Sequence, residues 1–401
     1  MTLVEPTRGR ALRIVIGADT FPPNVNGAAR FAQRLAQGLA GRGHDVHVIC
    51  PSHSPAVGTT VVDGVTVHRL RSHLTPFHPT FRVCLPWQTS PAVAALLDRI
   101  HPDVVHVQAH FVVGRALATQ APRRGVPLVA TNHFMPENLF GHARIPTWLR
   151  APVARWAWRD LARVFRPAAV VTAPTPRAVR LLHENGLVQR AIPISCGIDA
   201  ERFSRPDVRP RGDARTVLFV GRLDEEKRVD ELLRAVALLP AELRVRAEIV
   251  GDGSCRKALE ELADRLGVRE RVTFRGFVSE EELVDAYARC DAFCMPGVAE
   301  LQSLATMEAM AAGKPVVAAD AMALPHLVRP GHNGWLFPPG DVRALADRLT
   351  ELFTEPGALE RMGAASRALV AEHDIEATLD AFEEVYLRVM RRVGRATELA
   401  A

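Results

Sequence analysis

Residues 295–315 read MPGVAELQSLATMEAMAAGKP, and the order of residue types in this stretch decides the architecture. The apolar run Ala292–Met295 stops at Pro296, as a short buried strand does. A loop follows. From about Ser303 a helical pattern takes over, with Leu304, Met307 and Ala311 on one apolar face. Gly313 is placed to cap that helix, Pro315 prevents its continuation, and Val316–Ala318 reads as the next strand. Strand, loop, helix, strand is the repeating unit of a parallel α/β sheet.

Two carboxylates lie in this unit. Glu300 sits in the loop among Gly297, Val298 and Ala299, and Glu308 follows eight residues later inside the apolar stretch MEAMAAG. In open α/β sheets ligands bind outside the carboxyl ends of the strands. Carboxylates flanking a helix N-terminus there accept hydrogen bonds from hydroxyls, while the amides of the first turn suit a phosphate. Upstream, Thr216–Gly221 (TVLFVG) reads as a buried strand, and the charged loop after it carries Arg222 and Lys227 at the edge where an anion would sit. Lys227 is one of only three lysines, beside Lys257 and Lys314, so its position carries weight.

The same grammar opens the chain. Leu12–Ala18 is a strand, and residues 19–27, DTFPPNVNG, form a loop. A helix with Phe31, Leu35 and Leu39 on one face runs to Gly41 and Gly43, and Val46–Cys50 is the second strand. Val104–Val107, Pro127–Thr131 and Val170–Ala173 are further strands, and Asn132–His133–Phe134 leaves the end of the second of these. Residues 69–87 read as an irregular basic and aromatic excursion, with Arg82 able to grip a phosphate. In residues 146–166, Pro152 is expected to make an N-terminal turn before a helix from about Val153. Val153, Trp156, Ala157, Leu161 and Val164 form its apolar stripe, and Trp158 lies with Arg155, Arg159, Arg163 and Arg166. That composition suits a core-facing helix with a basic side, or a helix lying at an anionic membrane surface. Residues 204–215 have linker composition, after which the pattern of strand, loop and helix restarts; residues 375–392 form a last helix.

These motifs closely resemble those of glycosyltransferase family 4, the retaining enzymes of the GT-B fold, including the branch of phosphatidylinositol mannosyltransferases and diacylglycerol glycosyltransferases. Glu300 and Glu308 match the family's Glu-x7-Glu motif, whose first Glu contacts the transferred sugar and whose second contacts the nucleotide ribose. Gly221, Arg222 and Lys227 match its Gly-Arg-x5-Lys motif, whose cations bind the donor diphosphate. Where the family usually has Gly-Phe-Gly after the first Glu, this chain has Leu301-Gln302-Ser303, and Leu304 completes the loop. The resemblance further implies donor contacts from Gly27 and Val278, and a cleft role beside the sugar for His133. Glu137 is expected to orient His133 or, with Arg82, to bind acceptor. Ile194–Asp199 resembles the family's Asn-Gly-Val-Asp hinge, with Cys196 in place of the Asn.

The fold implied is α/β, GT-B, two Rossmann-like domains facing across a cleft. Residues 1–200 form an acceptor domain, 201–374 a nucleotide-sugar donor domain, and 375–401 a helix crossing back to the first. The activity implied is transfer of a hexose from a GDP-mannose or UDP-glucose type donor, a co-substrate, to an acceptor hydroxyl, lipid-linked or soluble. No cofactor and no essential metal are expected. A sugar-nucleotide epimerase of the same fold is the alternative.

At 401 residues and 48% hydrophobic content, each domain has material for its own core. A net charge of +5 is too mild for a nucleic-acid-binding domain and suits an anionic ligand or surface. The polar first ten residues and the lack of a long apolar run predict a cytoplasmic protein; the membrane-surface reading of residues 146–166, where it holds, adds peripheral contact with the inner membrane face. The six scattered cysteines suggest reduced thiols and no zinc site.

Overall fold

The computed structural model describes residues 10–24, 26–54, 56–74, 82–140, 145–205 and 214–400. Residues 75–81 of the basic excursion and 206–213 of the linker lie outside this set. The first half begins with β1 (Arg13–Gly17), α1 (Gly27–Gly41), β2 (Asp45–Pro51), β3 (Gly58–Val62) and β4 (Val65–Leu70). A two-strand hairpin, β5 (His73–Leu74) and β6 (Arg82–Val83), precedes α2 (Pro86–Ile100). There follow β7 (Val104–Val107), α3 (Val112–Arg123), β8 (Leu128–Thr131), α4 (Glu137–Phe140), α5 (Thr147–Phe165), β9 (Val170–Ala173), α6 (Pro176–Glu184) and β10 (Ala191–Pro193). The strands make one eight-stranded sheet in the order β10-β9-β8-β7-β1-β2-β4-β3, parallel except for the edge strand β3. β7, β8 and β9 are buried along their whole length, as parallel strands covered by helices on both faces must be. Asn26 caps α1 by accepting from Ala29 N at 2.9 Å, and Phe31, Leu35 and Leu39 turn inward.

The second half contains β11 (Thr216–Val220), α7 (Val229–Leu238), β12 (Arg246–Val250), α8 (Arg256–Arg265), β13 (Val272–Gly276), α9 (Glu280–Arg289) and β14 (Ala292–Met295). It continues with α10 (Leu304–Ala311), β15 (Val316–Ala319), α11 (Leu324–Leu327), β16 (Gly334–Phe337), α12 (Val342–Thr354), α13 (Ala358–Val370) and α14 (Ile375–Ala400). Its six strands are all parallel, in the order β13-β12-β11-β14-β15-β16. This is the order of the doubly wound nucleotide-binding sheet, with its switch point between β11 and β14.

Two sequence expectations are corrected. The helix at 146–166 starts at Thr147, with Pro152 inside it. Its buried face is Ala157, Trp158, Leu161, Val164 and Phe165, while Trp156 is 66% exposed. The two tryptophans thus exchange places relative to the expected stripe. Trp158 and Phe165, seven residues apart, share one flank of Leu161, and Trp158 packs edge-on to Phe134 at 6.1 Å. The expected irregular excursion also ends early, because Pro86 begins α2.

The chain crosses between the halves twice, and the crossings are fastened together. Ile198 N donates to His373 O at 2.8 Å, and Ile375 N to Ile198 O at 3.1 Å. α14 then lies against the first half. Leu379, Phe382, Tyr386 and Val389 enter the core formed by Phe31, Leu35 and the first strands. Arg42 pairs with Glu376, Asp380 and Glu383, and the Tyr386 hydroxyl bonds Nδ1 of the fully buried His106 at 2.7 Å. Tyr386→Phe keeps the ring but removes this bond, leaving Nδ1 only Gln108 Nε2 at 3.3 Å, at a cost of roughly 0.5–1.5 kcal/mol. Urea unfolding followed by tryptophan fluorescence checks this: four of the five tryptophans lie in the first half, so the signal reports the half α14 holds.

Candidate active site

The functional candidates collect where the carboxyl ends of the strands face one another. β1 and β7 adjoin in the first sheet, as do β11 and β14 in the second. Gly27 follows β1, His133 follows β8, Arg222 and Lys227 follow β11, and Glu300 and Glu308 follow β14. The two helices that start here meet across the cleft. A Cβ on Gly27, the first residue of α1, would lie 3.7 Å from Leu304 Cδ1, the first residue of α10. Ser303 caps α10 and accepts from Thr306 N at 3.3 Å.

In the loop after β11, the Arg222 guanidinium donates to Asp224 Oδ2 at 2.7 Å and to Glu226 Oε1 at 2.9 Å. Asp224 also accepts from the Ser254 amide at 3.1 Å and its hydroxyl at 2.8 Å, which ties this loop to the one after β12. The close approach explains Gly253: a Cβ there would lie 2.6 Å from the Leu223 backbone. Lys227 Nζ forms a short ion pair with Glu300 Oε1. The structure therefore joins one residue of each motif, Lys227 and Glu300, directly. Burial raises the Glu226 carboxyl above its usual range, and Arg222 opposes that rise.

Leu301 and Gln302 dock the same loop onto the first domain. Ala299 and Leu301 enter its hydrophobic core, and Thr175 Oγ1 donates to Leu301 O at 3.0 Å. Gln302 Oε1 accepts from Cys196 N at 2.7 Å, and its Nε2 donates to Ser195 Oγ at 3.0 Å. Glu308 is buried. Oε2 accepts from the Tyr287 hydroxyl at 3.0 Å; Oε1 accepts from Arg34 Nη2 at 3.1 Å and lies 3.5 Å from Arg30 Nη1. Both arginines belong to α1 of the opposite domain.

His133 Nε2 lies 3.0 Å from Gln108 Oε1, which assigns the proton to Nε2 because an amide oxygen only accepts. Its ring packs 4.9 Å from Phe31. Burial pushes its pKa down from 6.5 to about 4, so the imidazole is neutral at pH 7 with its lone pair on Nδ1. His106 and His110, on and just beyond β7, are likewise lowered by burial, to about 3 and about 4.

The remaining candidates stand apart from this cluster. Arg82 donates from Nε and Nη2 to Ser72, at 2.8 and 2.7 Å, and to no other candidate among the described residues. Glu137 opens α4 with Oε2 buried and unpaired among the described residues. Val278 lines a cavity of about 300 Å³ with Arg275, Phe277, Glu248 and Arg289, all of the second domain. Sequence reasoning missed Arg30, Arg34, Gln108 and Tyr287. One signal was present: the chain has only two tyrosines, and both hydroxyls bond buried titratable side chains.

The His133 assignment yields a pH prediction. Its folded pKa is depressed, so between 6.5 and about 4 the unfolded chain takes up a proton that the folded chain refuses, and stability falls as pH drops through that window. Long-range ¹⁵N–¹H spectra should show a neutral Nε2–H tautomer with no titration step from pH 5 to 8, and Gln108→Leu should abolish the tautomer bias.

Residues 25–202 match the family model described as Glycosyltransferase Family 4, and residues 200–369 that of Glycosyl transferases group 1. A GDP-mannose-dependent alpha-mannosyltransferase of Mycobacterium tuberculosis is 32% identical over 354 residues, covering 86% of this chain and 89% of that protein. A D-inositol 3-phosphate glycosyltransferase of Streptomyces scabiei is 29% identical over 395 residues, covering 92% and 87%. Among solved structures, sucrose-phosphate synthase from Thermosynechococcus elongatus superposes with a TM-score of 0.81 at 20% identity, over 95% of this chain and all of that one. These relatives do not favour the epimerase alternative. The chain belongs to glycosyltransferase family 4 and is a nucleotide-sugar glycosyltransferase of the GT-B fold.

Proposed function

We propose that this enzyme transfers mannose from GDP-mannose, with retention of anomeric configuration and without a metal ion, to a hydroxyl acceptor presented at an anionic membrane surface. The Lys227–Glu300 pair beside Arg222, at the switch point of the second sheet, is the observation that carries the donor half of this reading. Paired with each other, the two groups neutralise their charges. An arriving diphosphate competes for the ammonium, and Lys227 exchanges carboxylate for phosphate. Glu300 is then released toward the hydroxyls of the sugar. Arg222, oriented by Asp224 and Glu226, and Lys227 offset the charge that develops on the departing diphosphate, the part a divalent ion would otherwise take. Neutral His133 accepts a hydrogen bond from a sugar hydroxyl through Nδ1. Glu308 takes the ribose. The name of the M. tuberculosis relative supports mannose and guanine.

Arg222→Ala and Lys227→Ala should each weaken GDP binding by roughly 1.5–3 kcal/mol, the loss of a charge-assisted contact. Glu300→Gln should bind GDP at least as tightly as the natural protein, because Lys227 loses its competitor, while transfer collapses. Calorimetry and a transfer assay with GDP-mannose separate the two effects, and unchanged GDP affinity in both cation variants would remove the assignment.

The membrane half rests on α5. Trp148 is 75% exposed and Trp156 66%. With Arg155, Arg159, Arg163 and Arg166, also exposed, they occupy the side of the helix opposite Leu161. Aromatic rings and arginines on one outward face suit the headgroup layer. Among the described residues no helix is long and apolar enough to cross a membrane. Co-sedimentation with vesicles should rise with anionic lipid and fall with salt. Arg155→Glu/Arg159→Glu should reduce it more than tenfold, at about 1 kcal/mol for each arginine removed. If the natural protein ignores anionic vesicles at low salt, a soluble acceptor replaces the lipid one.

A further inference from the structure

α1 carries two arginines one turn apart, and both reach out of their own domain. Arg30 spans Glu280, at 2.9 Å from Nη2, and Glu308, at 3.5 Å from Nη1. Arg34 Nη2 donates to Glu308 Oε1 at 3.1 Å. Its other terminal nitrogen, Nη1, is buried and has no hydrogen-bond partner among the described residues. Buried polar groups are almost always paired, so an orphaned guanidinium N–H is an exception that calls for a reason. Here it belongs to a side chain already fixed by its second nitrogen to the carboxylate that takes the ribose. The geometry of the guanidinium fork therefore places an unused donor one nitrogen away from an established acceptor.

A ribose hydroxyl both donates and accepts. An ionised carboxylate only accepts, and a guanidinium only donates. A hydroxyl held by Glu308 alone is satisfied at one end. A hydroxyl that donates to Glu308 and accepts from Arg34 Nη1 is satisfied at both, and the orphaned N–H is satisfied with it. We propose that Arg34 is a second contact to the donor's ribose, supplied by the first domain to a nucleotide site otherwise built from the second. The inference rests on the assignment of Glu308 to the ribose and extends it: full affinity for the nucleotide then requires both domains, and removing the hydroxyl removes two contacts at once.

The test is a mutation-by-ligand cycle. Calorimetry measures GDP, 2′-deoxy-GDP and 3′-deoxy-GDP, and the corresponding uridine diphosphates, against the natural protein, Arg34→Met, Arg34→Lys and Glu308→Gln. Circular dichroism confirms that each variant is folded. The natural protein should prefer the ribonucleotide over one of the deoxy forms by about tenfold or more, the loss expected when hydrogen bonds to charged groups are removed. Arg34→Met should shrink that preference by a factor of about five or more, weakening the ribonucleotide and sparing the deoxy form. Arg34→Lys keeps a cation beside Glu308 but lacks the second fork nitrogen, so it should lose the preference too; it carries the test if Arg34→Met does not fold. A purely structural arginine would weaken ribo and deoxy forms by the same factor and leave the preference intact, which overturns the proposal. Loss of preference in Glu308→Gln but in neither Arg34 variant removes Arg34 and leaves the Glu308 assignment standing. A preference absent from the natural protein, or unchanged in every variant, removes both.

Discussion

Glu308 has a side chain only 2% exposed, and the cations that neutralise it come from the other domain. A carboxylate taken this far out of water is tolerated only when paired and hydrogen-bonded, and removing its partners leaves an uncompensated charge worth about 3–5 kcal/mol. The two Rossmann-like units are therefore not independent bodies joined by a linker. The second one completes its charge balance on the first. At another point of the cleft, Arg150 grips Glu225 with both Nη atoms, but that pair is exposed and such pairs contribute only about 0–1 kcal/mol. Closure is thus electrostatically lopsided, firm where water is excluded and weak where it is not.

The sheets were legible in the sequence because strands covered on both faces need unbroken apolar runs. Runs such as VVHV, LVAT and AFCM are long enough for a buried strand and too short for a buried helix. The edge strand at Gly58–Val62 was not legible. It is exposed at every position, so no burial imposes a pattern on it. The α5 helix was read with Ala157, Leu161 and Val164 inward, as they are, but with Trp156 in the place that Trp158 takes. Trp158 finds Phe134 beneath it and Phe165 finds His110, and these contacts outside the helix, invisible in its own pattern, choose the buried face.

Within the site, the legible residues were those that share a loop with their own motif, such as Arg222 with Lys227. The residues that hold these side chains were invisible for a different reason. Arg34 and Glu308 are 274 positions apart, and Arg30 and Glu280 are 250 apart. Nothing in the local pattern of α1 marks an arginine that will be used by another domain. Gln108 is equally plain in the sequence, and it acquires meaning only when β7 and β8 set it beside His133.

The two crossings between the halves touch at Ile198 and Ile375. Gly197 sits beside them with φ +68°, and a Cβ there would lie 2.7 Å from Thr378 Oγ1 and 3.0 Å from Ile375 Cα. With no side chain wedged between them, the two connections pack backbone against backbone at one point. The same two connections are also held from the side, because Ser195 Oγ accepts from Gln302 Nε2 and Cys196 N donates to Gln302 Oε1. A side chain at position 197 would therefore act as a wedge, prising apart the one place where both passages of the chain between the domains touch.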